Sequence, residues 1–360
     1  MKEQAGTIFI FILPKRGCVD YALEMTRHLT RLRYEVYASN QSEGVFPDNT
    51  IRVRTFRSGL GFAFSSLFIL PALLFRVARH ARQNQCSAFY FPTFHHWTPF
   101  FLLLAKMLGI PGVVTVHDAH SHPGEPALLQ GLFQRWSVRL AGGVVFLSEY
   151  VAGQSNTAGK PFKVIPHGIL SLPGLISGER KGRKPLRLLV IGRIARYKGI
   201  DLLGQAIQLL EDDIWSALTI AGAVVDPDFH PFVHPKVHWE TGWLPPERMA
   251  DLLNRADVLI MPYREASQSG VLTLGIAAGI PMVITRVGGL LEQLDEQCAL
   301  WVEPNAESLA EGIRNLAKNP DIYHRIRQNL GDHHATATWS QCTEMLEEFI
   351  FSLAALNNRM

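Results

Sequence analysis

The sequence predicts two doubly wound α/β domains joined by a polar segment, and three observations predict it. The chain has 360 residues, more than one ordinary core serves, since domains of about 100–200 residues are usual. Short β-rich apolar runs alternate with helical patterns, the signature of a parallel sheet with crossover helices. The alternation stops at a Gly/Pro-punctuated segment without hydrophobic period, SLPGLISGERKGRKP at residues 171–185, and then restarts.

In the first half the expected strands are residues 7–13, 35–39, 51–56, 88–93, 112–118, 143–148 and 162–166. Helices are expected at residues 19–33, 98–108 and 127–141, each long enough for a right-handed crossover. The start, MKEQAGTIFIFIL, has one Lys and no A-x-A-like site, so it reads as a first strand and not a signal peptide. Residues 60–75 (LGFAFSSLFILPALLF) form the longest apolar stretch, shorter than the roughly 18 residues of a spanning helix and interrupted by two serines and a proline. Followed by RVARHARQ, the stretch reads either as a core helix or as an apolar helix with a basic end that rests on a membrane surface.

In the second half the expected strands are residues 186–191, 218–221, 237–241, 258–262, 282–285 and 299–302. The domains are therefore residues 1–170, a linker at 171–185, and residues 186–339. The last pattern, TEMLEEFIFSLAAL, is amphipathic with no strand left to serve, so residues 340–360 are expected to cross back onto the first domain. Two such domains facing each other create a cleft at the C-terminal ends of their strands, where open α/β sheets bind ligands.

With 47% hydrophobic and 19% charged residues, the composition excludes a disordered or fibrous chain. The net charge of +3 divides unevenly, +8 over residues 1–175 and −5 over the rest. A basic half attracts phosphate, nucleic acid or anionic lipid; without an aromatic-plus-basic motif, lipid or phosphate is favoured over nucleic acid, beside the alternative of a solvated basic face. Cys18, Cys86, Cys298 and Cys342 lie far apart, which argues against a zinc site or a disulfide framework and fits a reducing cytoplasm. No strand is followed by G-x-G-x-x-G, so a nicotinamide-dependent dehydrogenase lacks support.

The strongest chemical signal is LLVIGRIARYKGID at residues 188–201, a buried strand ending at Gly192, then Arg193, then Lys198 and Gly199 leading into a helix. Such a turn aims backbone N–H groups and a positive dipole end at one point, where two cations add charge for a diphosphate. Three further runs accompany it: VIPHGI (164–169), ETGWLPPERMADLLNRADVLIMPY (240–263) and REASQSGVLTLGIAAGIPMVITRVGG (264–289). In the last, Ser269, Gly270 and Val271 stand at a helix start, where amides meet phosphate or sugar hydroxyls.

Together these runs resemble the family 4 glycosyltransferases, retaining enzymes of GT-B fold. The resemblance implies that Arg193 and Lys198 contact the donor diphosphate and that Gly242, Trp243 and Leu244 lie near the nucleotide base. Aligned on A-A-G-I-P, the family's two glutamates, eight residues apart, fall on Ser267 and Gly275, so neither carboxylate is present; Glu265 is either a substitute or a solvated loop carboxylate.

In the first half, His117 and Asp118 end a central strand, with His120 and His122 beyond; H-x2-H-x-H matches no zinc pattern. The resemblance implies instead that His117 lies near the transferred sugar, where a neutral imidazole bonds a hydroxyl or handles a proton; a core histidine is the alternative. Gly17, in PKRGCVD, stands where family members bring a glycine close to diphosphate or acceptor, and Asp226-Pro227-Asp228 reads as a turn rather than a metal site. The expected substrates are a nucleotide diphosphate sugar and a glycan or lipid-linked acceptor, with no metal and no other cofactor. The expected place is the cytoplasm, peripherally on the inner face of the plasma membrane. An inactive, nucleotide-sugar-binding relative is the alternative.

Overall fold

Two all-parallel sheets organise the chain in a computed structural model that describes residues 6–15, 18–120, 127–157, 159–177, 182, 184–226, 228–336 and 338–357. The first has seven strands: β1 (Thr7–Ile12), β2 (Arg33–Ser39), β3 (Ile51–Val53), β4 (Cys86–Phe91), β5 (Gly112–Val116), β6 (Gly143–Phe146) and β7 (Phe162–Val164). Their order is β3-β2-β1-β4-β5-β6-β7. Central strands such as β1 (TIFIFI) and β5 (GVVTV) are apolar but for one threonine each, because both faces of a parallel sheet are covered.

The helices of this unit are α1 (Val19–Arg27), α2 (Gly59–Phe68), α3 (Leu70–Gln83), α4 (Thr98–Met107), α5 (Ala127–Leu140) and α6 (Glu149–Gln154). Two stretches differ from the sequence reading. α1 stops at Arg27 instead of residue 33, because the amides of Thr30, Arg31 and Leu32 turn away to a buried carboxylate, that of Glu347. Residues 60–75 form two helices and not one, bent by 51° at a break beside Pro71. Proline at the first turn starts a helix because it lacks the N–H that a preceding turn would use. The core-helix reading fits α3, whose Leu70, Leu73, Val77 and Ala81 enter the core, but not α2, where Ser65 is the buried residue. No single helix among the described residues is long and apolar enough to cross a membrane.

The second sheet has six strands: β8 (Leu186–Ile191), β9 (Trp215–Gly222), β10 (Val237–Thr241), β11 (Val258–Met261), β12 (Met282–Thr285) and β13 (Leu300–Val302), in the order β10-β9-β8-β11-β12-β13. Its helices are α7 (Ile200–Gln208), α8 (Pro246–Arg255), α9 (Gly270–Ala277), α10 (Leu290–Gln293), α11 (Ala306–Lys318) and α12 (Pro320–Thr336). Arg187 clamps the start of β8 to the start of β11 by a bidentate pair, its Nε and Nη2 each donating to one carboxylate oxygen of Asp257 at 2.9 Å.

By its internal contacts the first unit ends at Pro166 and the second begins at His167. The segment expected to be a linker therefore belongs to the second unit: Leu170, Leu172 and Leu175 pack on its core, and the Ile176 amide donates to Asn254. The last helix, α13 (Trp339–Asn357), returns to the first unit. It packs on α1 and β4, and Phe349 and Leu353 lie against Gly143, where a Cβ would come within 2.5 Å of Leu353. Glu347, fully buried, accepts from three successive backbone amides at 2.7–3.0 Å.

Candidate active site

In the second sheet, the order in which strands are added reverses at β8: β9 and β10 lie on one side, β11, β12 and β13 on the other. Open α/β sheets bind ligands at such a reversal, at the carboxyl ends of the strands. Here the structure gathers the sequence-predicted cations. Gly192 leaves β8 at φ 110° and Arg193 follows, exposed, with its guanidinium donating to the Tyr197 hydroxyl at 3.3 Å. A short 3-10 turn then carries Lys198, whose Nζ sits 3.6 Å from the centroid of the Tyr263 ring and 5.0 Å from that of Tyr197. Cation–π contact fixes the ammonium without neutralising it.

Gly199, the N-cap of α7, is left-handed at φ 63°, and a Cβ there would stand 1.9 Å from the Pro262 carbonyl oxygen. Glycine is what lets the two loops close on one another. The Arg264 amide donating to the Tyr197 carbonyl at 2.7 Å completes the join. Tyr263, fully buried, has its hydroxyl pKa pushed up by burial, so it stays neutral, and it shares a hydrogen bond with the Ser269 hydroxyl at 3.4 Å.

α9 begins beside this pair. Ser269 is its N-cap, and Val271 approaches Gly192 so closely that a Cβ there would lie 3.0 Å from Val271 Cγ2. The Ser269 amide is taken up by Gln293 Oε1 at 2.6 Å. The amides left for a ligand are those of Gly270 and Val271, which have no carbonyl a turn earlier in the helix. Gln268 Oε1 and Gln293 Nε2 are buried without a hydrogen-bond partner among the described residues. Gln293 is 24 residues from Ser269 in sequence, and no local pattern announces it. Tyr263 carried a signal, an aromatic closing a strand in VLIMPY.

The register set on A-A-G-I-P needs correction at Gly275. That residue faces the core: a Cβ would meet Met282 Sδ at 2.5 Å and Leu259 Cδ2 at 2.9 Å, leaving no room for a glutamate. Counted back from Gly279 and Pro281 by the E-A-x-A-x-G-x-P spacing, the pattern's second glutamate corresponds to Leu274 and its first to Ala266. Neither register supplies a carboxylate. Glu265 is exposed on the loop before α9, where its neighbour Arg264 pairs with Asp201. Gly242 (φ 136°) donates its amide to the Gly222 carbonyl at 3.0 Å at the end of β10; beyond it Trp243 is half exposed and Leu244 packs on the core. Asp226 accepts from the Asp228 amide at 3.0 Å, an Asx turn, with Pro227 outside the described residues. Asp295, Cys298 and His333 bring ligand atoms within 4.8 Å of one another, a grouping the sequence spacing did not suggest.

In the first sheet the reversal lies between β1 and β4. His117, just past β5, is buried; its Nε2 is 2.8 Å from the Pro92 carbonyl and its Nδ1 has no hydrogen-bond partner among the described residues. Burial opposes charge on this ring, but Cys18, the Pro92 carbonyl and Asp118 outweigh it and raise its pKa to about 9. The shift favours the protonated ring, where the sequence reading expected a neutral imidazole; in either state Nε2–H donates to the Pro92 carbonyl. Cys18, missed by the sequence reading, holds a left-handed φ of 54° at the N-cap of α1. Asp118 lies half-buried, its carbonyl accepting from Gln134 at 2.6 Å. Gly17 and His122 lie outside the described residues.

A raised histidine pKa stabilises the fold fully below the unfolded value near 6.5, and that stabilisation is lost as pH rises through about 9. An NMR titration is expected to show His117 changing protonation near pH 9 and, in Cys18→Ala, at a lower pH. An unaltered midpoint in the variant would show that Cys18 does not act on the ring.

Comparison with known proteins gives the family and the fold. A family model described as "Glycosyl transferases group 1" matches residues 185–319, and one described as "Glycosyltransferase Family 4" matches residues 16–169. TuaC of Bacillus subtilis, named for a glycosyltransferase role in teichuronic acid biosynthesis, is 29% identical over 59% of this chain and 56% of its own length. The chain thus spans little more than half the length of that relative. Sucrose-phosphate synthase from Thermosynechococcus elongatus superposes with a TM-score of 0.72 at 14% identity, covering 98% of this chain and all of that one. Anabaena HepE in complex with UDP-glucose gives 0.72 at 14% identity, covering 96% and 99%. The two family models between them take in the second sheet with the Arg193–Lys198 turn and the first sheet from β2 to β7, and the chain belongs to the family 4 type glycosyltransferases of GT-B fold.

Proposed function

We propose that the chain transfers a glycosyl unit, of hexose type and with retention, from a nucleoside diphosphate sugar to a hydroxyl of a glycan or lipid-linked acceptor. The observation that carries this reading is the seat of Lys198 against Tyr263, beside Arg193 and the first turns of α7 and α9. As the bond from the anomeric carbon to the diphosphate breaks, negative charge grows on the leaving oxygens. Two fixed cations and free helix amides, already oriented, stabilise that charge without a metal. Gln268 Oε1 and Gln293 Nε2 suit donor hydroxyls or phosphate, since a buried polar atom without a partner costs about 1–3 kcal/mol that a ligand recovers. We assign Gly242, Trp243 and Leu244 to the base and His117 with Asp118 to sugar hydroxyls. Glu265 is the remaining candidate for a carboxylate near the donor sugar.

TuaC's name and the UDP-glucose complex of HepE support a uridine diphosphate sugar and a role in cell-surface polysaccharide or lipopolysaccharide assembly. The enzyme then works from the cytoplasmic side at a membrane surface. A second reading has its own observation: α9 carries no acidic residue, which favours a nucleotide-sugar-binding protein without turnover. Incubation with UDP-sugars decides between them. Release of UDP, enhanced by a glycan or lipid-linked acceptor, supports the transferase; saturable binding with no UDP release supports the second reading and defeats the first.

A further inference from the structure

We propose that the outer face of α2 and α3, continued by α4 and α5, docks on the surface of an anionic lipid bilayer. On α2, Leu60, Phe64, Leu67 and Phe68 recur at the spacing that places them on one side of a helix. Together with Phe75 of α3 they are between 59% and 88% exposed. Their outward direction is held from behind. Phe62 of α2 packs its ring on Phe56, His96 and Phe133, and Trp97 donates to Ser66 at 2.8 Å. The inner side of α3 lies in the core. The pair therefore lies on a surface instead of crossing one.

The apolar side chains give way to cations along the same outward face. Phe75 is followed by Arg76, Arg79 and Arg82, all exposed, and Arg57 stands before α2. Between Asp48 and Asp118 the chain has seven Lys or Arg and no acidic residue. None of these seven forms an ion pair among the described residues. α3 packs on α4 and α4 on α5, so the layer is continuous. There Met107 and Leu132 are exposed near Lys106 and Arg135. An apolar ridge with a cationic surround and no anion complements acidic headgroups over acyl chains. Two copies of this face would set cations against cations, which disfavours self-association through it.

This surface lies wholly in the first unit, so its test is separate from that of the donor site. The whole protein is sedimented with phosphatidylcholine vesicles, with or without about a quarter phosphatidylglycerol. Binding is expected to the anionic vesicles, at least about tenfold tighter than to the neutral ones and weakened in about 0.5 M salt. Phe64→Asp with Phe68→Asp, and separately Arg79→Glu with Arg82→Glu, are each expected to lower binding at least about tenfold, with melting and nucleotide binding unchanged. Equal binding to both vesicle types, no binding, or binding insensitive to salt would overturn the proposal even were the variants to misfold. So would a dimer in sedimentation velocity that Phe64→Asp abolishes, since that assigns the face to a second copy.

Discussion

Lys198→Ala is expected to lower kcat for donor turnover by about 10²–10³-fold, the usual cost of removing one preorganised group aimed at developing charge. The melting temperature is expected to stay within the range of a surface substitution, because the Lys198 ammonium rests on rings and fills no cavity. Arg193→Ala is expected to fall in the same range. Arg193→Lys is expected to recover only part of the loss, since a point charge does not reproduce a planar two-donor fork. Steady-state turnover of a UDP-sugar by each variant checks this; near-normal turnover in both would remove the cation pair from the chemistry. The loops make a sharper comparison available. Gly199→Ala leaves both cations in the chain but forces a Cβ onto the Pro262 carbonyl, so a similar loss there would show that the join between the loops, and not charge alone, builds the site.

The largest effect on stability is expected at Glu347. Its carboxylate is fully buried and serves three amides in succession, so Glu347→Ala strands buried donors at the turn after α1. A loss of about 3 kcal/mol follows, which for a unit of this size lowers Tm by roughly 10 °C. Glu347→Gln keeps an accepting oxygen and is expected to recover part of it. Calorimetric melting reads the difference, and an unaltered melting profile for the alanine variant would mean that α13 is held by its apolar contacts alone.

The order and type of the strands were legible because a strand covered on both faces shows itself as an unbroken apolar run: LLVI, VLIM and MVIT each became a central strand. The diphosphate turn was legible for a similar local reason. Glycine, arginine, lysine and glycine follow one strand within eight residues, and the backbone there needs two left-handed or positive φ values at Gly192 and Gly199. What sequence did not show depends on contacts between distant segments. The early end of α1 is decided by Glu347, more than 300 residues away. The pKa of His117 is raised against burial by Cys18, on another strand-to-helix turn, together with the Pro92 carbonyl and Asp118. Gln293 reaches the α9 terminus from the helix beyond β12. At residues 60–75 composition alone left core and surface open, because an apolar run looks the same whichever side is covered. Placement separated the two, with α3 half sunk in the core and α2 almost wholly outside it. The glutamate register is fixed by the sequence itself, since the spacing back from Gly279 and Pro281 falls on Leu274, and the packing of Gly275 on Met282 agrees with it.

The central claim, a diphosphate site where the loops after β8 and β11 meet, is tested most directly by calorimetric titration of nucleoside diphosphates into the unaltered protein and into Lys198→Ala. The account predicts saturable binding of at least one nucleoside diphosphate, UDP first among them, and a loss of that binding by about tenfold or more in the variant. Failure of every nucleoside diphosphate to bind, or equal affinity in the two proteins, would contradict it.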